Sequence, residues 1–259
     1  MRESRLSPRD LIVIVAARRL AGRQTCFAGI GLPSAAAILA SYVHAPDLYL
    51  VFESGVLGPR PASLPLSVAD EVLASTAQTI VSVPEMFAYW LQPGRIDVGA
   101  LGAAQVDRFG NINTTVIGPY DAPKVRLPGA GGAPEIAAAC AETLILVEHG
   151  PRTLVGALDF TTTVGHGSGP GSRVALGFRG FGPRAVITDL AVLEPDPGTL
   201  ELTVTALHAG RSPEDVRART GWSVRFADDI ASIPPPTEEE VATLNRLSRR
   251  MAAAGRPRT

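Results

Sequence analysis

The sequence predicts an α/β fold on a mainly parallel central sheet, and three observations carry that prediction. A strand-like QTCFAG is followed by a glycine turn, Gly29 to Ser34, and then by the helix-like AAAILASYVH, which together form the repeating unit of a parallel sheet. The alternation returns with LYLVFES as a strand, SVADEVLAST as a helix, TIVSV as a strand, PEMFAYWL as a helix and IDVGALGAAQV as a strand. Finally, 259 residues, 46% hydrophobic and 19% charged, make a globular chain that can bury a core without disulfides or a structural metal.

At the start, Ser7 offers an N-cap, Pro8 a first-turn proline and Asp10 an acidic group near the positive end of the dipole. LIVIVAARRL therefore begins a helix, which stops at Gly22. Beyond about residue 102 glycine and proline punctuate the chain, yet TLILVEH, RAVITDL, AVLEP and LELTVTALH read as strands. SPEDVRART has the opening of a short helix. After the stiff spacer Pro234 to Pro236, Thr237 and Glu240 make a capping box for a terminal helix. No linker divides the sequence, so residues 1–259 read as one domain, with residues 252–259 expected to fray.

Twenty-four basic residues against 25 acidic ones give no surface-wide attraction for nucleic acid or an anionic membrane. The first ten residues are polar where a secretory signal would be apolar, and no run approaches the roughly 18 apolar residues of a membrane span, so the expected location is the cytoplasm. Cys26 and Cys140 are far apart, without metal-ligand spacing, and read as reduced core thiols. His44, His149, His166 and His208 are too scattered for a metal site, and Trp90 and Trp222 read as packing.

Three segments can carry chemistry. Phe52-Glu53-Ser54-Gly55-Val56-Leu57-Gly58 sets a carboxylate directly after an apolar strand and before glycines that permit a sharp turn. At neutral pH such a carboxylate is already a nucleophile that needs only positioning; the plainer reading is an ordinary charged strand end. In Gly102 to Asn113, Gln105 and Asn113 are neutral amides able to donate to an oxyanion, around a common D-x-x-G-N turn. Pro128 to Pro134 offers exposed backbone N–H groups at Gly131 and Gly132 ahead of EIAAACAE, or else is simply a flexible loop. The glycine-dense Val164 to Gly171 fits neither a phosphate loop nor a nucleophile elbow and reads as a mobile substrate or interface loop.

Taken in order, Gly-x-Gly-x-Pro, Glu-Ser-Gly, Gly-Ala-x-Gln-Val-Asp-x-x-Gly-Asn-x-Asn and Gly-x-Gly-Gly-Ala resemble the B subunit of the glutaconate-type family I CoA-transferases, over roughly residues 8 to 225. The resemblance implies an open α/β sandwich and a glutamyl-CoA thioester on Glu53. It also implies oxyanion and substrate contacts from Gly131, Gly132, Gln105, Asn113, Ser54 and Gly55, and CoA contacts near Gly29 and Gly31. It implies an A-subunit partner in a hetero-oligomer of A2B2 type, with CoA as substrate carrier and no metal or redox cofactor. The acid expected is small or dicarboxylic. Two other readings share the scaffold: an acyl-CoA hydrolase or decarboxylase with Glu53 as general base, and a partner subunit without catalytic residues of its own.

Overall fold

Ser7 caps the first helix as its chemistry demands: its hydroxyl accepts from the Asp10 N–H, and the Asp10 carboxylate takes the Ser7 N–H at 2.8 Å. The structure is a computed structural model describing residues 6–254. In chain order, α1 (Pro8–Arg19), β1 (Thr25–Ala28), α2 (Leu32–Val43) and β2 (Tyr49–Val51) lead to β3 (Val56–Leu57), α3 (Glu71–Ala74) and β4 (Thr79–Ile80). Next, α4 (Val83–Glu85) runs into a π-helix at Met86–Leu91, before β5 (Val98–Gly102). The short strands β6 (Gln105–Val106), β7 (Ile112–Asn113), β8 (Val116–Ile117) and β9 (Val125–Arg126) precede α5 (Ala133–Ala139) and β10 (Glu142–Leu146). Then come α6 (Ser172–Ala175), β11 (Pro183–Ile187), β12 (Ala191–Pro195), β13 (Leu202–His208), α7 (Pro213–Arg217), β14 (Arg225–Ile233) and α8 (Glu238–Ala254).

Ten strands form one sheet in the order β14-β13-β12-β11-β10-β5-β1-β2-β3-β4. The middle five, β11-β10-β5-β1-β2, are parallel, and antiparallel pairings join them to both wings. Successive residues of β1 serve opposite faces. Cys26 joins a core with Ile12, Ile38, Leu244 and Leu247 from α1, α2 and α8, while Phe27 joins one with Met86, Leu91 and Ile136. Burial pushes the Cys26 thiol up to about 12, with the Asp97 charge adding to it, and raises Cys140 as well, so both remain unreactive core thiols.

Several boundaries differ from the sequence reading. The strand expected over IDVGALGAAQV is two: β5 ends at Gly102, and β6 pairs with β7 in a separate small sheet. Only Glu71–Ala74 of SVADEVLAST is helical, and PEMFAYWL is largely a π-helix. Its buried anchors, Met86 and Leu91, are five residues apart. On an α-helix that spacing puts them about 140° apart, whereas i→i+5 hydrogen bonding brings them to one face. Strand β14 was not anticipated; it is an edge strand, largely solvent-facing, with Asp228 and Asp229 in its middle.

The glycine-dense loop expected to be mobile is fastened. The Asn111 Oδ1 accepts from the Gly165 and Gly167 N–H groups at 2.8 and 3.0 Å, and its Nδ2 donates to the Gly167 carbonyl. The buried Arg173 donates to the carbonyls of Gly165, Gly180 and Ala137. Of the tail expected to fray, residues 252–254 continue α8, and residues 255–259 lie outside the described residues.

Candidate active site

Glu53 and Ser54 are the tip of the β2–β3 hairpin. The Gly55 N–H returns to the Phe52 carbonyl at 3.0 Å, and the Phe52 N–H bonds the Val56 carbonyl, closing a three-residue loop that ends in a glycine at φ +85°. Gly55 is required twice: for that backbone, and because a side-chain carbon there would lie 1.9 Å from the Val81 carbonyl oxygen. Since β2 is the edge of the parallel block, this turn holds a carboxylate at the carboxyl end of the parallel strands, where open α/β sheets bind ligands.

The Glu53 carboxylate is half-buried and has neither hydrogen bond nor ion pair among the described residues. Across from it lies the glycine loop before α5. A side-chain carbon placed on Gly132 would stand 3.2 Å from Glu53 Oε2, and one on Gly131 would stand 3.9 Å away. Gly131 adopts φ +50°, and Gly132 caps α5 without a side chain. Among the described residues, neither glycine's N–H meets an acceptor. Glu53, Ser54, Gly131 and Gly132 line one cleft of about 520 Å³, together with Val68, Val83, Phe87 and Glu135. The Ser54 hydroxyl oxygen is buried and has no hydrogen-bond partner among the described residues. Nothing in the sequence marked Val68, Val83, Phe87 or Glu135, because they sit in segments whose periodicity speaks only of helix or loop.

Gln105 and Asn113 are not brought to this cleft. Asn113 is fully buried and spends its amide N–H groups on Gln105 Oε1 and the Val116 carbonyl, both at 2.7 Å. Gln105 in turn donates to Asp159 at 2.7 Å. An amide with both N–H groups engaged has none left for an oxyanion. The pair instead supports the glycine loop from behind, since Thr114, next to Asn113, exchanges two hydrogen bonds with Gly129.

Gly29 and Gly31 lie in a different place. The Gly29 N–H bonds the Ala100 carbonyl, and Gly31, at φ +93°, starts α2 with its N–H on Ser34. Gly31 lines a crevice of about 400 Å³ at the carboxyl ends of β1, β5 and β10, with Arg9, Gly102, Glu148 and Thr153 on its walls. The chain passes from β1 to β2 on one side and takes up β5 on the other, so this crevice marks the topological switch point.

The Coenzyme A transferase family profile matches residues 11–219. Over 251 residues the chain is 54% identical to the B subunit of 3-oxoadipate CoA-transferase from Pseudomonas knackmussii, covering 97% of this chain and 96% of that one. It is 34% identical over 222 residues to the B subunit of glutaconate CoA-transferase from Acidaminococcus fermentans, with 83% of each covered. The crystal structure of glutaconate coenzyme A-transferase from that organism superposes with a TM-score of 0.87 at 29% identity, over 94% of this chain and 95% of that one. The decarboxylase AibA/AibB shares the fold at a TM-score of 0.77 and 25% identity, over 96% and 98% of the two chains. Sequence and architecture agree across nearly the whole chain, which belongs to the coenzyme A transferases as a B subunit of the family I type.

Proposed function

We propose that Glu53 is the covalent nucleophile of a CoA-transferase that exchanges CoA between an acyl-CoA and a free carboxylic acid. One observation carries the reading: a carboxylate on a tight turn faces two glycines, and neither it nor their N–H groups have a partner among the described residues. Glu53 Oε2 attacks the thioester carbonyl carbon, the C–S bond breaks, and CoA leaves as the thiolate with a mixed anhydride on Glu53. The thiolate then attacks Cδ of Glu53, the bond from Cδ to the bridging oxygen breaks, and the first acid departs as carboxylate, leaving glutamyl-CoA. An acceptor carboxylate reverses both steps, with no net proton uptake. Each tetrahedral intermediate carries an oxyanion, for which the N–H groups of Gly131 and Gly132 are the available donors.

CoA is the substrate carrier in this scheme, and no metal or redox group enters it. The crevice lined by Ile30, Gly31 and Arg9, next to Gly29 in the chain, is the proposed place for part of CoA. The acid is a small dicarboxylate of the 3-oxoadipate kind, a reading supported by the 54% identical relative. Relatives named as B subunits also support an A-subunit partner; the assembly we propose is A2B2. Incubating the A–B complex with acyl-CoA and no acceptor tests the scheme. CoA should become attached to the peptide spanning Phe52 to Leu57, hydroxylamine should intercept it there, and steady-state kinetics should be ping-pong. Full exchange without an adduct on this chain moves the chemistry to the partner.

A further inference from the structure

A glutamyl thioester waiting for its acceptor is exposed to water, and the wall beside Glu53 is built in an unusual way. The π-helix Met86–Leu91 is pinned below by Met86 and Leu91, both fully buried, and beside them by Trp90, whose ring stacks on Tyr49 at 5.8 Å. Between these anchors it turns Phe87 toward the glycine loop. The Phe87 ring stands 6.3 Å from that of Phe27 in the sheet, and its Cζ lies 2.9 Å from where a side-chain carbon on Gly132 would sit. That same Gly132 position is 3.2 Å from Glu53 Oε2, so the phenyl ring and the carboxylate converge on one glycine. Phe87, Val68 and Val83 supply the apolar part of the cleft. π-Turns are rare and concentrate at functional sites, because they aim a side chain that an α-helix would direct elsewhere.

We propose that Phe87 is a positioning residue that keeps water off the glutamyl carbonyl and so sets how often the intermediate is transferred rather than hydrolysed. This rests on the thioester reading of Glu53. In the suppressed reaction a water oxygen attacks Cδ of Glu53, the C–S bond breaks, CoA leaves as thiol with one water proton, and the other proton goes to solvent as the carboxylate is regenerated. Excluding water from such an intermediate requires a fixed apolar surface at its carbonyl, and a ring anchored on the π-turn meets that need. A hydroxyl or a small side chain at position 87 does not.

The test uses the A–B complex with Phe87→Ala and Phe87→Leu, the second of which retains much of the apolar volume. CoA thiol release without acceptor and CoA transfer with acceptor are measured on the same preparation. The ratio of hydrolysis to transfer should rise about tenfold or more in Phe87→Ala and less in Phe87→Leu. Tyr89→Ala, an exposed change on the same π-helix outside the cleft, should leave the ratio at the wild-type value. An unchanged ratio in both Phe87 variants, with the Glu53 adduct still forming, overturns the role of Phe87 alone. If Phe87→Ala fails to fold, the Phe87→Leu ratio decides. Absence of the adduct in the wild type overturns the thioester reading and this inference together.

Discussion

Arg18 and Glu240, 222 residues apart in the chain, are joined by two hydrogen bonds of 2.6 and 2.7 Å. Arg18 also donates to the carbonyls of Pro234 and Pro235, and His44 Nε2 lies 2.9 Å from Glu240 Oε1. The Glu240 carboxylate is fully buried and additionally takes the Thr237 N–H. Through this junction α8 is latched to α1 and α2.

The latch predicts an acid limb of stability. Burial pushes the Glu240 carboxyl up, but its hydrogen bonds with Arg18 and Thr237 and the Arg18 charge outweigh that and bring it down to about 2. A carboxyl lowered by folding stabilises the protein fully above its unfolded value of 4.5, and loses that contribution as pH falls from there through about 2. The contribution at neutral pH is on the order of 3 kcal/mol. Melting curves of wild type and Glu240→Gln should therefore differ most at pH 7, and the gap should narrow steadily as pH falls below 4.5 toward 3. A constant gap across that range would contradict the latch.

Glu53→Gln keeps the shape of the turn and removes the nucleophile, so exchange should vanish with little change in Tm. Slow deamidation would restore activity with time, which a mass-resolved time course distinguishes from contamination. Glu53→Asp withdraws the attacking oxygen by about 1 Å and should cost on the order of 10²-fold in kcat.

Gly132 tests the space beside the carboxylate. Its backbone, at φ −86°, suits any residue, so Gly132→Ala adds a methyl against Phe87 and Glu53 without backbone strain. kcat/KM should drop by about 10²-fold. Tm should fall as well, because the added carbon would stand 2.9 Å from Phe87 Cζ and the ring must shift, but the loss of activity should persist well below that Tm. Gly131→Ala differs, because φ +50° costs a side-chain-bearing residue about 1 kcal/mol; it should lose stability as well. Wild-type kcat/KM in the folded Gly132→Ala protein would mean that the loop serves structure alone.

Asn113→Ala separates support from catalysis. It strands the Val116 carbonyl and the Thr115 N–H, each at a cost of about 1–3 kcal/mol, so Tm should fall, while Gln105 Oε1 keeps the Asp159 N–H. Well below that Tm, kcat should stay within a few-fold of wild type. A loss of 10²-fold or more, the scale of a missing oxyanion donor, would return the residue to the chemistry.

Much of the frame was legible because local chemistry decides it. Ser7, Pro8 and Asp10 mark the start of α1, and Thr237 with Glu240 marks the start of α8. Glu53 stood out because an apolar strand, a carboxylate and Gly55 are adjacent in sequence. The roles of Gln105 and Asn113 were not legible, since amide chemistry is the same whether the partner is substrate or Asp159, a residue brought in from 54 positions away. Phe87 was hidden for a related reason: only the i→i+5 turn, held by Trp90 on Tyr49 and by buried Met86 and Leu91, decides which way it points. Strand β14 escaped because an outer strand needs no apolar alternation on its solvent side, and Asp228 and Asp229 suppress the little it has.

The three-residue loop at Glu53 also bears on the order in which the molecule is built. The hairpin from Tyr49 to Leu57 closes over a short stretch of chain, on the microsecond scale of local hairpins. The glycine loop reaches it only after β5 has docked in parallel beside β1 and β10 beside β5, pairings that require long crossovers and are intrinsically slow. The nascent chain thus holds its reactive carboxylate in shape well before anything surrounds it, and can acquire chemical competence only late in folding. Refolding followed by recovery of CoA labelling should lag behind refolding followed by the signal of the hairpin.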